Sequence, residues 1–277
     1  CFKGSELKKA LSKLTNHNTQ GEYYLPDTLE IILQSGGKVN ALITTDATAF
    51  FGVNSRVQLA EATAIMQNRI NQKHMENGVT IIAPQSTWID ADVEIGQDTI
   101  IQPNTIIEGN TIIGEDCMIG PNTKLTNMTI GNAVQIQYTS ATSSSIGNSA
   151  IVGPFAYIRP DCHIGDGVKV GDFVEVKNST VGNGTKIPHL TYIGDTDAGE
   201  KINFGCGSIT VNYDGNKKHR TVVEDNVFVG CNTNLVAPVT IKKGSYIAAG
   251  STITKNVPEN VLAVARARQQ IIEGWSK

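Results

Sequence analysis

The sequence predicts a mainly β fold, a parallel β-helix of hexapeptide repeats that follows the end of an α/β domain and a connecting helix. Three observations predict it. An aliphatic residue recurs every six positions, small or polar residues fill most positions between, and the segment 1–56 lacks the repeat. A period of six is typical of a chain that winds as a prism, with one hexapeptide on each face.

The repeat occurs in three runs. Its aliphatic positions, expected to point inward, are Ile89, Ile95, Ile101, Ile107, Ile113, Ile119 and Leu125, then Val152, Ile158, Ile164, Val170 and Val176, then Val223, Val229, Leu235, Ile241, Ile247 and Ile253. One coil cannot bury its own aliphatic side chains, so coils stack about 4.8 Å apart, and residues 89–253 predict roughly nine coils in a rod about 40 Å long. Glycines such as Gly96 and Gly114 are expected to permit corner dihedrals that a β-carbon resists.

The segments before and after the repeat complete the predicted organisation. Residues 1–56 predict the remnant of an α/β domain, with helices at 5–14 and 27–34 and a strand at 39–44. The beginning of that domain is expected to be missing, as in a truncated chain or a proteolytic remnant. Residues 57–76 predict a linker helix, 77–257 the β-helix and 258–277 a C-terminal arm that caps the open coil end. The linker has an apolar side, which comprises Val57, Leu59, Ala60, Ala64, Met66 and Ile70.

Composition excludes several classes of protein. The 277 residues carry a net charge of −3 with 6% aromatic residues, so no basic surplus indicates nucleic acid. No apolar run is long enough to span a membrane and no secretory signal opens the chain, so neither a membrane span nor secretion is expected. The five cysteines, Cys1, Cys117, Cys162, Cys206 and Cys231, form no Cys-x-x-Cys pair. They predict free thiols in a reducing cytoplasm.

The repeat is interrupted between Ile193 and Val223, where binding residues are most expected. An inserted loop carries Asn-Tyr-Asp-Gly at 212–215 and a basic run at 216–220. A rigid coil can hold such a loop in place for binding. The alternative is a solvated turn, because Asp-Gly is a common turn pair.

The histidines raise the question of a metal site. A trimeric β-helix can hold zinc with three histidines, as a carbonic anhydrase does. The chain has His17, His74, His163, His189 and His219. His163 precedes the inward Ile164, whereas His189 lies two residues after the inward Ile187, so they are expected on different parts of the prism. The spacing therefore disfavours zinc.

Several longer motifs resemble one family. They are GEYYL (21–25), GVNSR (52–56), GPFA with RP (153–156, 159–160), FVEVK (173–177), HLTYIGD (189–195), NYDG (212–215) and LVAPV (235–239). The chain is similar over its whole length to the bacterial GlmU family. That family joins an N-acetylglucosamine-1-phosphate uridyltransferase to a glucosamine-1-phosphate N-acetyltransferase.

The resemblance implies a left-handed β-helix that forms a homotrimer with active sites shared between subunits. The expected reaction moves an acetyl group from acetyl-CoA to the amino group of glucosamine-1-phosphate. The family's other half converts the product, with UTP and Mg²⁺, into UDP-N-acetylglucosamine for the cell wall. Asn54 matches a magnesium ligand of that half. Its partner aspartate and the nucleotide loop would lie upstream, so uridylyl transfer by this chain is not expected.

The acetyl transfer requires a base, because an amine attacks a thioester only when it is unprotonated. Histidine, with an ordinary pKa of about 6.5, suits this role. His189 is the candidate, since it lies near the inserted loop and matches the family's proton acceptor. We expect Glu175 to orient its imidazole and Asn212 to position the amine.

The resemblance also implies two binding sets. The residues expected around the sugar phosphate are Arg159, Lys177, Tyr192, Asn203 and Lys218, whose cations can form charge-assisted hydrogen bonds. The residues expected along an acetyl-CoA groove are Cys206, Asn212, Tyr213, Cys231, Ala249 and Arg266. For each cation the alternative is an exposed surface charge, and for the thiols a small buried hydrophobe.

Two competing functions remain open at this stage. Another hexapeptide acyltransferase, acting on serine or a lipid precursor, would share the fold, and so would a non-catalytic structural β-helix. Neither is expected to need the Asn-Tyr-Asp-Gly loop with the basic run that follows it.

Overall fold

The computed structural model describes residues 1–275 and divides the chain into two compact units, the first of which is Cys1–Val53. This unit contains helix α1 (Gly4–Leu11), helix α2 (Asp27–Gln34) and a 3₁₀ turn at Ala47–Phe50. Helix α2 has its predicted bounds, and α1 is three residues shorter at its end than predicted. The strand predicted at 39–44 is wrong. Leu42 and Ile43 are 95% and 92% exposed, and no described residue offers them the backbone partner that a strand requires.

Helix α3 (Arg56–Glu76) opens the second unit and covers its first coil. The Ser55 hydroxyl accepts the N–H of Gln58 and begins the helix. The buried side of α3 is polar: the Gln67 side-chain amide donates to the Thr87 carbonyl at 2.7 Å, and that of Asn71 donates to the Pro84 carbonyl at 3.0 Å.

The predicted linker helix is confirmed, but its apolar side packs against the core of the β-helix only in part. Val57, Leu59 and Met66 are exposed, whereas Ile70 packs against the core. The start of a β-helix presents carbonyl groups that need donors, and amide side chains supply them where aliphatic ones cannot.

The β-helix consists of short strands. In chain order they are β1 (Thr80–Ile81), β2 (Trp88–Ile89), β3 (Glu94–Ile95), β4 (Ile100–Ile101), β5 (Ile106–Glu108), β6 (Ile112–Ile113), β7 (Met118–Ile119), β8 (Lys124–Ile130), β9 (Gln135–Ile136), β10 (Ser140–Ile146), β11 (Ile151–Val152), β12 (Tyr157–Ile158), β13 (His163–Ile164), β14 (Lys169–Asp172), β15 (Glu175–Lys177), β16 (Thr180–Val181), β17 (Lys186–His189), β18 (Tyr192–Gly194), β19 (Thr196–Ala198), β20 (Asn203–Phe204), β21 (Ile209–Val211), β22 (Thr221–Val223), β23 (Phe228–Val229), β24 (Asn234–Val236), β25 (Val239–Ile241), β26 (Tyr246–Ile247), β27 (Thr252–Ile253) and β28 (Leu262–Ala263). A 3₁₀ turn at Pro84–Ser86 separates β1 from β2.

These strands form the three faces of a prism. Face A stacks the eleven strands β1, β4, β7, β9, β11, β14, β17, β20, β23, β26 and β28. Face B begins with β2 and β5 and includes β12, β15, β18, β21, β24 and β27; face C begins with β3 and β6 and includes β13, β16, β19, β22 and β25. Strands β8 and β10 pass from face B to face C around a corner. All strand pairs are parallel and in register, so the predicted parallel β-helix is confirmed.

The core is the column of inward residues on each face. Every aliphatic position of the three predicted runs is buried except Ile95, which is half-buried against the core. Trp88 pairs with Ile106 on the next coil, whereas Lys186 pairs with Asn203, so the later coil is one residue shorter than the earlier one. The small slips in the sixfold count are therefore coils that are one or two residues shorter.

The inserted loop lengthens a single coil. In the coil before the insertion, Thr180 pairs with Asp197, which lies 17 residues later in the sequence. In the next coil, Thr196 pairs with Thr221, which lies 25 residues later. Strands β21 and β22 flank the extra segment. The strands on both sides keep their register. The predicted interruption is confirmed, and the loop leaves the prism at the corner between faces B and C.

The glycines after inward residues act through close approach rather than unusual dihedrals. Gly96 and Gly114 have ordinary φ angles. A β-carbon at Gly114 would lie 2.7 Å from the Gly131 carbonyl oxygen on the next coil. The expectation of corner dihedrals at these two positions is wrong, because other residues occupy the left-handed corners: among those that are not glycine, most are asparagine or aspartate, as at Asn104 and Asp116.

The segment after Pro258 adds one more strand before it leaves the prism. β28 pairs with β26, and Ala263 packs against the core. Ile271, Ile272 and Trp275 are exposed, and residues 276 and 277 of the predicted arm lie outside the described residues. None of the described helices is long and apolar enough to cross a membrane.

Substitution of one inward isoleucine tests the core. We expect Ile113→Ala to lower the free energy of unfolding by about 2–5 kcal/mol, because it leaves a cavity between packed coils. The adjacent Ile112→Ala is the control, since Ile112 is 46% exposed and Ile113 only 2%. Denaturant unfolding measures both variants. Equal losses would contradict the assignment of inward positions.

Candidate active site

His189 lies at the end of β17, on the edge where face A turns into face B. Its Nδ1 is 2.6 Å from Oδ1 of Asp172, which occupies the equivalent position at the end of β14. The imidazole side chain is 55% exposed. The hydrogen bond from His189 lowers the pKa of Asp172 and keeps this carboxylate ionised. With Nδ1–H donating to Asp172, the exposed Nε2 is free to accept a proton.

The residue predicted to orient His189 makes a different contact. The carboxylate of Glu175 accepts a hydrogen bond from Nη1 of Arg159 at 3.0 Å, which raises the pKa of Arg159. Glu175 lies within face B, three residues beyond the corner that carries Asp172. The structure thus gives the orienting contact to Asp172, and the expectation for Glu175 is corrected. The ion pair with Glu175 also holds the guanidinium of Arg159 in place.

Four of the predicted acetyl-CoA residues form a column on the same edge. Strands β17, β20, β23 and β26 pair in register on face A. When that register is extended to the end of each strand, the position of His189 is occupied on the following coils by Cys206, Cys231 and Ala249. Nη1 of Arg266 donates to the Ala249 carbonyl at 2.9 Å. We call this column, from Asp172 to Arg266, the A/B edge. The side chains of Cys206, Cys231 and Ala249 are small, which leaves room along the edge for an extended ligand parallel to the prism axis.

A second group of predicted residues lies at the other end of face B, around Asp195. Nζ of Lys177 is 3.7 Å from Oδ2 of Asp195. Lys218, from the inserted loop, lies close to Lys177, and this contact between like charges lowers the pKa of Lys218. The side-chain amide of Asn212 donates to the hydroxyl of Tyr192 at 3.3 Å and to Oδ2 of Asp195. We call Lys177, Tyr192, Asp195, Asn212 and Lys218 the B/C cluster.

Three predicted binding residues lie apart from their expected companions within one chain, and one of them is Asn212, which was also expected along the acetyl-CoA groove but lies in the B/C cluster. Asn203 lies on face A, where it pairs with Lys186 and Phe228, so it does not join the B/C cluster. Tyr213 lies in the inserted loop, where its hydroxyl donates to the Gly215 carbonyl at 2.6 Å, so it does not join the A/B edge. Each expected set is therefore divided between two regions of the prism.

The inserted loop is a small ordered hairpin. Tyr213 forms an antiparallel bridge with Lys218, and the carboxylate of Asp214 accepts the N–H groups of Asn216 and Lys217. Nε2 of His219 is 2.7 Å from Asp214 Oδ2. The backbone donors from Lys217 and Asn216, with the His219 contact, lower the pKa of Asp214. These contacts hold Lys218 over face B.

The residues described do not form a metal site. Asn54 donates its backbone N–H to Gln58, and no group of three or more His, Cys, Asp or Glu residues in 1–275 could hold a metal ion. Asn54 alone does not fit Mg²⁺, which needs several oxygen ligands in octahedral geometry. His163 lies on face C, with Nδ1 2.9 Å from the Ser145 hydroxyl, and His189 lies at the end of face A.

Three residues with clear contacts in the site were missed by the sequence reasoning. They are Asp172, Asp195 and Asn178, whose side-chain amide donates to Asp195 Oδ1 at 2.5 Å. Coil length was the available signal. The sequence spacing from Asp172 to His189 equals the spacing from Asn178 to Asp195 and from Asp195 to Asn212, and each spacing is one coil in this region.

Comparison with known proteins agrees with this architecture. The model of the family described as bacterial transferase hexapeptide (six repeats) matches residues 92–127, 143–178 and 220–255. Proteins named bifunctional protein GlmU are similar over nearly the whole chain. The one from Caldanaerobacter subterraneus subsp. tengcongensis is 58% identical over 98% of this chain and 59% of its own length. The one from Clostridium perfringens is 57% identical over 99% of this chain and 60% of its own length.

The chain spans about 60% of the length of these curated relatives. Among solved structures, the UDP-N-acetylglucosamine acyltransferase of Francisella novicida is similar with a TM-score of 0.47 and 19% identity, over 67% of each chain.

The Asp172–His189 contact gives a test that needs no substrate. We expect His189→Gln to raise the pKa of Asp172 toward the ordinary aspartate value, because the imidazole donor is lost. Carbon-13 NMR of the aspartate carboxyls measures it, with His163→Gln as the control. The lowered pKa stabilises the fold above the ordinary aspartate pKa, and this contribution disappears as the pH falls through the lowered value. An unchanged Asp172 titration in His189→Gln would contradict the contact.

Proposed function

The chain belongs to the GlmU family, and from this premise we propose that it transfers the acetyl group of acetyl-CoA to the amino group of glucosamine-1-phosphate. The contact between Asp172 and His189, on the same edge as the column predicted to bind acetyl-CoA, is the observation that carries the proposal. The product is N-acetylglucosamine-1-phosphate, a precursor of UDP-N-acetylglucosamine for the cell wall. The cytoplasm is the proposed location, since all five cysteines are free thiols.

His189 is the proposed base. Its Nε2 takes a proton from the substrate amine as the nitrogen attacks the thioester carbonyl. The carbon–sulfur bond breaks, CoA leaves as a thiolate, and the imidazolium returns the proton to sulfur. Asp172 holds the tautomer with Nδ1 protonated and stabilises the imidazolium. Glu175 forms an ion pair with Arg159, and we propose that it acts through Arg159 on the sugar phosphate.

The sugar phosphate is proposed to bind at the B/C cluster. Lys177 and Lys218 place two ammonium groups side by side, which favours an anion between them. Arg159 adds a guanidinium on the coil before Lys177, since Tyr157 and Glu175 are in register. Asn212 and Tyr192 offer an amide and a hydroxyl for the sugar. Asn203 and Tyr213 are proposed to complete the sites from neighbouring subunits.

A homotrimer with shared active sites is part of this proposal. Within one prism the A/B edge and the B/C cluster lie at opposite sides of face B, so each predicted binding set is divided. A neighbouring subunit that brings its B/C cluster to this chain's A/B edge would complete both sets. An exposed ladder of Tyr138, Phe155 and Phe173 at the corners between faces A and B, with stacked rings 5.4 Å apart at Phe155 and Phe173, supports such an interface.

Uridylyl transfer is proposed only for a longer chain. In the family, the uridyltransferase domain uses Mg²⁺ and UTP. Residues 1–56 are proposed to be the end of that domain. Asn54 here lacks the other oxygen ligands that such a site needs.

The first test is turnover of acetyl-CoA with glucosamine-1-phosphate, followed by release of free CoA thiol. We expect His189→Ala to lower kcat by about 100-fold or more, because general base catalysis is lost. His163→Ala is the control, since His163 contacts Ser145 on face C. Near-normal turnover in His189→Ala would remove it as the base. No turnover in the unmodified trimer would contradict the proposed acceptor, and serine and lipid-precursor acceptors would then be compared.

Alkylation tests the position of acetyl-CoA. We expect acetyl-CoA to protect Cys231 from a maleimide, because a ligand along the A/B edge covers this exposed thiol. Peptide mass spectrometry measures labelling, and Cys1, which is exposed in the other unit, serves as the internal control. Equal labelling of Cys231 with and without acetyl-CoA would place the ligand elsewhere.

A further inference from the structure

Asp195 is a buried carboxylate at the centre of the B/C cluster. It is 4% exposed, at the corner between faces B and C. Oδ1 accepts the amide of Asn178 at 2.5 Å, and Oδ2 accepts the amide of Asn212 and lies 3.7 Å from Nζ of Lys177. Burial acts to raise the pKa of Asp195, but the Asn178 and Asn212 donors and the two lysines outweigh it, so the pKa is lowered and the group is charged.

We propose that Asp195 is a positioning residue for the sugar phosphate, one that holds the Asn212 amide and the Lys177 ammonium in place and keeps the Lys177–Lys218 pair charged. This inference rests on the proposed function and assigns to it a residue that does not itself bind the substrate. A carboxylate beside a phosphate would repel it, so the role of Asp195 is to act through the neighbours that it binds.

The partners of Asp195 distinguish it from the other corner residues. At several other corners, a side chain accepts a backbone N–H group and so supports the coil. Asp225 Oδ1 accepts the N–H of Glu200 at 2.8 Å, and Asn148 Oδ1 accepts that of Asn132 at 2.9 Å. All three contacts described for the Asp195 carboxylate are with side chains, those of Asn178, Asn212 and Lys177. Two of these, Asn212 and Lys177, are predicted binding residues. The contacts of Asp195 therefore hold binding side chains rather than the backbone of the coil.

The charge of Asp195 opposes the repulsion between the two lysines. Three groups face Lys218. They are Lys177 in β15, Tyr192 in β18, and Asp195 at the corner after β18. Lys177 lowers the pKa of Lys218, and Asp195 counteracts this. Without the carboxylate, Lys218 would lose its proton at lower pH. Phosphate binding needs both ammonium groups. On the alkaline side of the pH profile, the affinity for phosphate would therefore begin to fall at a lower pH than in the unmodified protein.

The test compares Asp195→Asn with the matched control Asp225→Asn in the trimeric protein. Asparagine tolerates the left-handed backbone of Asp195, where φ is 49°, so the change removes charge with little strain. Steady-state kinetics measure KM for each substrate across pH. We expect Asp195→Asn to raise the KM for glucosamine-1-phosphate about tenfold or more, to leave that for acetyl-CoA within twofold, and to move the alkaline rise in KM to lower pH.

The control should change none of these quantities. Equal changes in both KM values, or an alkaline limb that does not move, would overturn the inference, because a structural defect would affect both substrates alike. If Asp195→Asn does not fold, Asn178→Gly replaces it. Asn178 contacts Asp195 Oδ1 and has a φ of 44° that glycine accepts. Its expected result is a higher sugar-phosphate KM alone, and an unchanged value would overturn the inference.

Binding of inorganic phosphate, measured by calorimetry, separates this inference from the proposed function. If the unmodified protein acetylates no glucosamine-1-phosphate, the proposed function fails. Phosphate binding that weakens in Asp195→Asn but not in Asp225→Asn would still support the role of Asp195. Equal phosphate binding by all three proteins would overturn it.

Discussion

The whole structure depends on the in-register, parallel hydrogen bonding between one coil and the next. Each residue has a counterpart one coil later, about 4.8 Å along the axis. An aliphatic side chain that points inward therefore stacks on another, and the core is a set of columns such as Ile101 on Ile119 on Ile136. A shift of one residue would turn every inward side chain outward, so the burial of these columns fixes the register.

The same register produces the functional columns. Asp172 meets His189 because both end a strand of face A on successive coils, and Cys206, Cys231 and Ala249 continue that line. At the other side of face B, Asn178, Asp195 and Asn212 are also one coil apart. A β-helix therefore brings together residues that are distant in sequence by repeating one position, and the ligand proposed for such a column would lie parallel to the axis.

The irregular parts of the chain serve the site where a regular coil could not. A regular corner has no room for a long basic segment, whereas the insertion between β21 and β22 places Lys218 over face B without disturbing the register of either neighbour. The exposed ion pair of Arg159 with Glu175 contributes little to stability, because solvent screens it. Asp195 is different, since a buried carboxylate persists only when donors and cations surround it.

The sequence by itself determined the parallel β-helix, its inward residues and the position of the inserted loop, because a period of six allows few other packings. It also placed His189 and the two lysines among the candidates through the resemblance of local motifs. Only the tertiary structure decided that Asp172 rather than Glu175 contacts His189, that α3 buries amides rather than its apolar side, and that 39–44 is not a strand. For the contact with His189, the physical reason is that coil length is not constant, since the pairs Trp88 with Ile106, Ser140 with Tyr157 and Gln135 with Ile151 enclose successively shorter coils. A local pattern shows which residues point outward, but the partner on the next coil follows from the accumulated register.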